Sequence, residues 1–215
     1  MRRPQPILAS GEFYHVYNQG NNRESIYFSV DDYRRFLDTF KLYLGHYVDT
    51  FAFCLMGNHF HLLIRVRTAE SVYRAASLDG MIEPDVEDPP PINDLVSERF
   101  RRFYISYAMY YNRKADRKGS LFLKNFCREH VDTEPYLLYL VYYILSNPQK
   151  HGFVSDFRTY EYSSLWETLN GKYSWIERGE LLAWFGGAAG LDQFFRTCEA
   201  GHARHTFTPP EFDPI

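Results

Sequence analysis

The stretch "TFAFCLMGNHFHLLIRV", Thr50 to Val66, limits what this chain can fold into more than any other. Two apolar runs flank Gly57-Asn58, a dipeptide suited to a two-residue hairpin turn. Side chains alternate along a strand, so Phe60, Leu62, Ile64 and Val66 face one way, and His59, His61, Leu63 and Arg65 the other. With Gly57-Asn58 as the turn, Met56 lies opposite His59, Cys54 opposite His61 and Ala52 opposite Leu63. Strict alternation puts Phe51, Phe53 and Leu55 with Phe60, Leu62 and Ile64 on a core face. The other face carries smaller partners and two imidazoles, which leaves room for something to sit on it. Two neutral imidazoles on one strand face can bind one divalent metal, given a third ligand and open positions. Two core histidines with satisfied hydrogen bonds are the plainer alternative, so the rest of the chain has to decide.

Around the hairpin, strand and helix signals alternate. "FYHVYNQGNN" predicts a strand from Phe13 to Tyr17 running into a Gly/Asn turn. "VDDYRRFLDTFKLYLGHY" predicts a helix capped by Asp31 or Asp32, with Tyr33, Phe36, Leu37, Phe40 and Leu44 at helical spacing. A short helix over Thr68 to Leu78 precedes an acidic, proline-rich loop, and a long helix follows from Leu95 to Lys114. "RKGSLFLKNFCREHV" reads as a turn and a strand. "TEPYLLYLVYYILSNP" is a helix that Pro135 opens and Pro148 closes. Beyond Gln149 come short helices and loops, including "WIERGELLAWFGG", a helix ended by glycine.

The helix after Pro135 is crowded with phenols. Tyr136, Tyr139, Tyr143 and Asn147 share one stripe, because residues three or four apart share a helix face. An amide oxygen at Asn147 can serve as a hard third ligand one turn from a phenol. A phenol, with its ordinary pKa of about 10, is a poor nucleophile at neutral pH. Beside a metal that polarises a phosphodiester, it can attack phosphorus and form a covalent phosphotyrosine. Aromatic residues on a helix are usually core, and spacing alone does not choose Tyr143 over Tyr139.

Charge adds a second clue. The net charge of −3 does not by itself point to nucleic acid. From Arg99 to Arg128, however, nine basic residues stand against the single acid Asp116. Such a stretch can form a phosphate footprint, or a solvated helix face. Cys54, Cys127 and Cys198 are far apart and form no CxxC pair, which fits a reducing cytoplasm. The opening segment lacks the apolar core of a signal peptide, and "YLLYLVYYIL" is too short to span a bilayer. The expectation is a cytoplasmic protein without membrane association.

Taken together, the motifs resemble a family. "LMGNHFHLLIRV" is similar to the histidine–hydrophobic–histidine (HUH) motif of single-tyrosine transposases. "YYILSNPQKHGFV" is similar to the tyrosine helix of that family, especially its REP-associated branch. "FYHVYNQGNNRESIYF" resembles its first strand and turn, and "YNRKADRKGSLF" the segment before its last strand. The matches run in order from about Gly11 to Leu165.

The resemblance implies an α+β chain of ferredoxin-like HUH fold, with a central antiparallel sheet, packed helices and a C-terminal helical extension. Residues 1–170 would be the transposase-like domain and 171–215 the extension, either packed on the same domain or apart from it. It implies Tyr143 as the nucleophile, His59, His61 and Asn147 as metal ligands, and Mg²⁺ or Mn²⁺ as the metal. The reaction would cut single-stranded or hairpin DNA, leave a 5′-phosphotyrosine and a free 3′-hydroxyl, and rejoin strands by the reverse attack. Arg113, Lys114, Arg117, Lys118, Lys124 and Arg128 would track the backbone, and Lys150 and His151 would touch phosphate near the cut. Related enzymes include monomers and homodimers. Gln19 and Leu123 depart from the family, which often has Arg and Gln at these positions. A catalytically inactive or domesticated hairpin-binding protein of the same family is one alternative, and a metal hydrolase with an acidic ligand another.

Overall fold

The computed structural model describes residues 5–123, 126–171 and 175–201. Four strands, β1 (Phe13–Gln19), β2 (Val48–Met56), β3 (His59–Val66) and β4 (Cys127–Val131), form one antiparallel sheet in the order β2-β3-β1-β4. Helix α1 (Val30–Leu44) connects β1 to β2. Helices α2 (Ala69–Leu78) and α3 (Ile92–Lys114) connect β3 to β4, and α4 (Glu134–Lys150) follows β4. Strands β1 and β2 run the same way with β3 inserted between them, which is the split βαβ arrangement of ferredoxin-like folds. The chain is therefore α+β, with the antiparallel sheet and packed helices that the motifs imply.

Helices α1 and α3 cover one face. Phe36, Phe40 and Leu44 recur every fourth residue on α1, and Phe100, Phe103 and Tyr107 line α3; both stripes bury against Val16, Phe53, Leu55, Phe60, Leu62 and Ile64. Ser29 takes the N-cap position of α1, and Asp32 serves as its partner from inside the first turn. The Asp32 carboxylate accepts the backbone N–H groups of Phe28 at 2.8 Å and Ser29 at 2.9 Å. The capping role expected of Asp31 or Asp32 thus falls to a Ser–Asp pair, because the reciprocal box satisfies donors at both positions.

The other face carries the two histidines of the hairpin. The hairpin pairs Met56 with His59, Cys54 with His61 and Ala52 with Leu63, the register that the Gly57-Asn58 turn predicts. Phe51 departs from the expected face. A β-bulge between Thr50 and Ala52 sets two residues of β2 against one of β3 and breaks the alternation. Phe51 therefore joins the second core, 5.2 Å from the Phe13 ring and stacked at 4.8 Å on Trp184.

Helix α4 runs past its expected end. Pro148 lies inside its last turn, where the missing N–H removes one hydrogen bond and the helix closes through His151 N–H to Asn147 C=O at 2.9 Å. The short helices α5 (Leu165–Asn170), α6 (Arg178–Trp184) and α7 (Ala188–Glu199) follow. Leu181 of α6 and Leu191 and Phe195 of α7 pack with Leu140 and Ile144 of α4 in the same second core. The outer edge of β2 is covered by backbone hydrogen bonds: Leu55 N–H to Tyr162 O, Ser164 N–H to Phe53 O and Glu177 N–H to Thr50 O. Among the described residues, no helix is long and apolar enough to cross a membrane.

Candidate active site

Residues directly opposite in an antiparallel pair share a face. In the β1–β3 pair, Gln19 lies opposite His59, Tyr17 opposite His61 and His15 opposite Leu63. The histidine face of β3 therefore continues as a polar row on β1. Sequence reasoning passed over that row, although the alternation used on the hairpin applies equally to "HVYNQ".

His61 is fully buried. Its Nδ1 lies 2.9 Å from His15 Nε2, and the two rings stack at 20°. Its own Nε2 has no hydrogen-bond partner among the described residues. Burial, then the neighbouring His15, His59, His151 and Lys150, push its pKa well below the usual histidine range, so the ring is neutral and able to ligate. His59 Nδ1 lies 2.7 Å from Asn58 Oδ1. An amide oxygen only accepts, so His59 Nδ1 carries the proton and Nε2 the lone pair. The His59 and His61 rings stand perpendicular, 5.3 Å apart.

Helix α4 lies across these rings. The Tyr143 ring meets His61 at 5.7 Å and His15 at 5.9 Å, and the His151 ring meets His59 at 5.5 Å. Asn147 sits midway, since Tyr143, Asn147 and His151 succeed each other every fourth residue on one stripe. Its side chain is fully buried, and neither Oδ1 nor Nδ2 has a partner among the described residues. Tyr136 donates to Glu129 at 3.3 Å, Tyr139 meets Tyr142 at 6.1 Å, and Tyr142 packs on Phe157 and Phe195. Among the described residues, no three His, Cys, Asp or Glu side chains group to hold a metal.

The basic residues fall into separate groups. Lys150 is at the site, with Nζ 5.2 Å from the Tyr143 ring centre, as is His151 beside His59. Arg113, Lys114, Arg117 and Lys118 lie at the C-terminal end of α3. Tyr111 there bonds the Ser25 carbonyl, and Ser25 Oγ donates to Gly57 O at 3.0 Å, so this end adjoins the hairpin turn next to His59. Lys114 pairs with Asp32 at 2.6 Å and Arg117 with Glu24 at 2.8 Å, whereas Arg113 and Lys118 are exposed. Arg128 points away from the histidine face. Its guanidinium donates to Pro6 O at 2.6 Å and Asn93 Oδ1 at 3.2 Å, and lies over the Phe126 ring. It ties the N-terminal segment to α3. Lys124 lies outside the described residues.

No family model matches the chain, and no curated protein matches it. Among solved structures it is similar to a REP-associated tyrosine transposase bound to a REP hairpin, with a TM-score of 0.56 and 15% sequence identity. The match covers 81% of this chain and 90% of that one. At this identity the likeness establishes a shared fold.

Proposed function

We propose that this chain is a metal-dependent DNA strand transferase that cleaves and rejoins single-stranded or hairpin DNA through Tyr143. One observation carries the reading: a helical stripe of Tyr143, Asn147 and His151 laid over His61 and His59, with a fully buried Asn147 amide that has no partner among the described residues. A phenol and two imidazoles meet on one sheet face, and a spare amide lies between Tyr143 and His151 on the helix stripe. The fold shared with a hairpin-bound transposase supports DNA as the substrate.

His59, His61 and Asn147 would hold the metal, through Nε2 of each imidazole and the amide oxygen. Mg²⁺ or Mn²⁺ is the metal that the family resemblance implies, while two imidazoles would suit zinc as well; when bound, the metal would draw charge from the scissile phosphate. Tyr143 attacks phosphorus through its hydroxyl oxygen. The bond from phosphorus to the 3′-oxygen breaks, the strand end leaves as a 3′-hydroxyl, and a 5′-phosphotyrosine remains. Attack by a 3′-hydroxyl on that linkage rejoins a strand without an external energy source. Lys150 places a cation beside the phenol, and the α3 terminus offers Arg113 and Lys118 to the backbone on either side.

The test uses single-stranded oligonucleotides tiled across the DNA flanking the gene, incubated with Mn²⁺ and resolved under denaturing conditions. A covalent adduct is expected in the wild type and in Tyr139→Phe, and none in Tyr143→Phe or His59→Ala/His61→Ala. An adduct that survives in Tyr143→Phe removes the assignment. Tight hairpin binding without any adduct favours a non-catalytic DNA-binding protein instead.

A further inference from the structure

We propose that Gln19 is a catalytic residue of this site: its side-chain amide donates a hydrogen bond to a non-bridging oxygen of the scissile phosphate. The inference rests on the strand-transferase reading and adds a group that neither the histidine pair nor the tyrosine helix supplies.

Gln19 is the last residue of β1 and lies in register opposite His59, on the same face. Its backbone is fully used, with N–H donating to Asn18 Oδ1 at 2.8 Å and C=O accepting from Leu123 N–H at 2.9 Å. The strand position is therefore pinned, and the side chain remains. That side chain is 7% exposed, and its Nε2 is buried without an acceptor among the described residues. Buried amide donors are nearly always paired, so an orphan at a site edge points to a missing partner. In this rotamer the orphaned end of the amide is the nitrogen, a donor that cannot ligate a cation. What the position lacks is an acceptor.

A phosphate oxygen is the acceptor that the reaction would bring to this face. A neutral amide pre-positioned where negative charge accumulates stabilises the transition state without reorganising when it forms. The carboxamide is also short and held by a strand, so it fixes one oxygen while Tyr143 approaches from the helix above.

The experiment compares wild type with Gln19→Glu, which keeps the shape and removes the donor, and Gln19→Met, which removes donor and polarity together. Cleavage rates are measured on an oligonucleotide that the wild type cuts, and on the same oligonucleotide with a methylphosphonate at the scissile position. Mn²⁺ affinity is read by calorimetry and folding by thermal melting. Both variants are expected to melt cooperatively, bind Mn²⁺ within about threefold of wild type, and cleave the phosphodiester about 100-fold more slowly. On the methylphosphonate, which lacks the charged oxygen, the gap to wild type shrinks to under about tenfold. Wild-type rates in both variants overturn the proposal, as does an equal gap on both substrates. Loss of Mn²⁺ affinity also overturns it, since Gln19 would then act through the metal. A wild type that forms no adduct removes the underlying reading, and this inference with it.

Discussion

His15 Nε2 and His61 Nδ1 face each other at 2.9 Å across the β1–β3 pair, both closed to solvent. For His61 to offer its Nε2 lone pair, Nδ1 must hold the proton and donate it to His15. With His61 as a ligand, His15 would select the tautomer and fix the ring plane, as outer partners of ligating histidines generally do. His15→Ala is expected to weaken Mn²⁺ binding by about 10- to 100-fold. His15→Gln, which keeps an acceptor oxygen, should lose less. Calorimetric titration of the three proteins reads the order directly, and wild-type affinity in His15→Ala would show that His61 needs no such partner.

Asn147 sets function against stability. A fully buried amide with neither atom paired among the described residues is a cost that the fold carries. Asn147→Leu fills the same space without polar atoms. It is expected to stabilise the metal-free protein by about 1–2 kcal/mol. It should also abolish the rise in melting temperature expected of the wild type with Mn²⁺. Urea unfolding and melting with and without Mn²⁺ separate the two effects. A less stable metal-free Asn147→Leu would mean that the amide is satisfied in solution.

The hairpin could be read from sequence because its determinants are local: a two-residue turn and a period of two fix the partners of His59 and His61. Phe51 could not, because the bulge is settled by Phe13 and by Trp184 more than a hundred residues away. The same holds for Arg128. It sits in a basic stretch, yet its partners Pro6 and Asn93 come from elements that sequence order does not bring near. Pro148 reads as a stop, but in a final turn it removes only one hydrogen bond. The choice between Tyr139 and Tyr143, open at the level of spacing, depends on how α4 rolls against the sheet. His15 and Gln19 were legible in principle, since β1 alternates as plainly as β3 does.

The division among the basic residues yields a salt experiment. Each cation that contacts phosphate steepens the fall of binding with salt by about 0.7 to 0.9 in a log–log plot. Arg113→Ala/Lys118→Ala should therefore flatten the slope for single-stranded DNA by about 1.4 if both residues touch the backbone. Arg128→Ala should leave the slope alone and lower stability by about 1–3 kcal/mol, because it strips the Pro6 carbonyl of its guanidinium donor and leaves Asn93 Oδ1 with the Leu8 N–H alone. Fluorescence anisotropy over a salt series, beside urea unfolding, tests both halves. A flatter slope in Arg128→Ala would place it on the DNA path after all.

Asp32 gives the fold a dependence on acid that is separate from the histidine face. Burial alone would raise its pKa, but Lys114 at 2.6 Å, Tyr110 at 2.8 Å and the N–H groups of Phe28 and Ser29 outweigh burial and bring it down to about 2 from 3.8. A carboxylate whose folded pKa lies below its unfolded value stabilises the protein above the unfolded pKa. That contribution is lost as pH falls through the folded one. The window therefore runs from about pH 4 down to about pH 2, and the gap corresponds to about 2 kcal/mol. Asp32→Asn keeps the shape and removes the titration. Its unfolding free energy should start lower than that of wild type at pH 5 and fall about 2 kcal/mol less by pH 2. Parallel losses in the two proteins across that range would show that Asp32 is not held below its ordinary pKa.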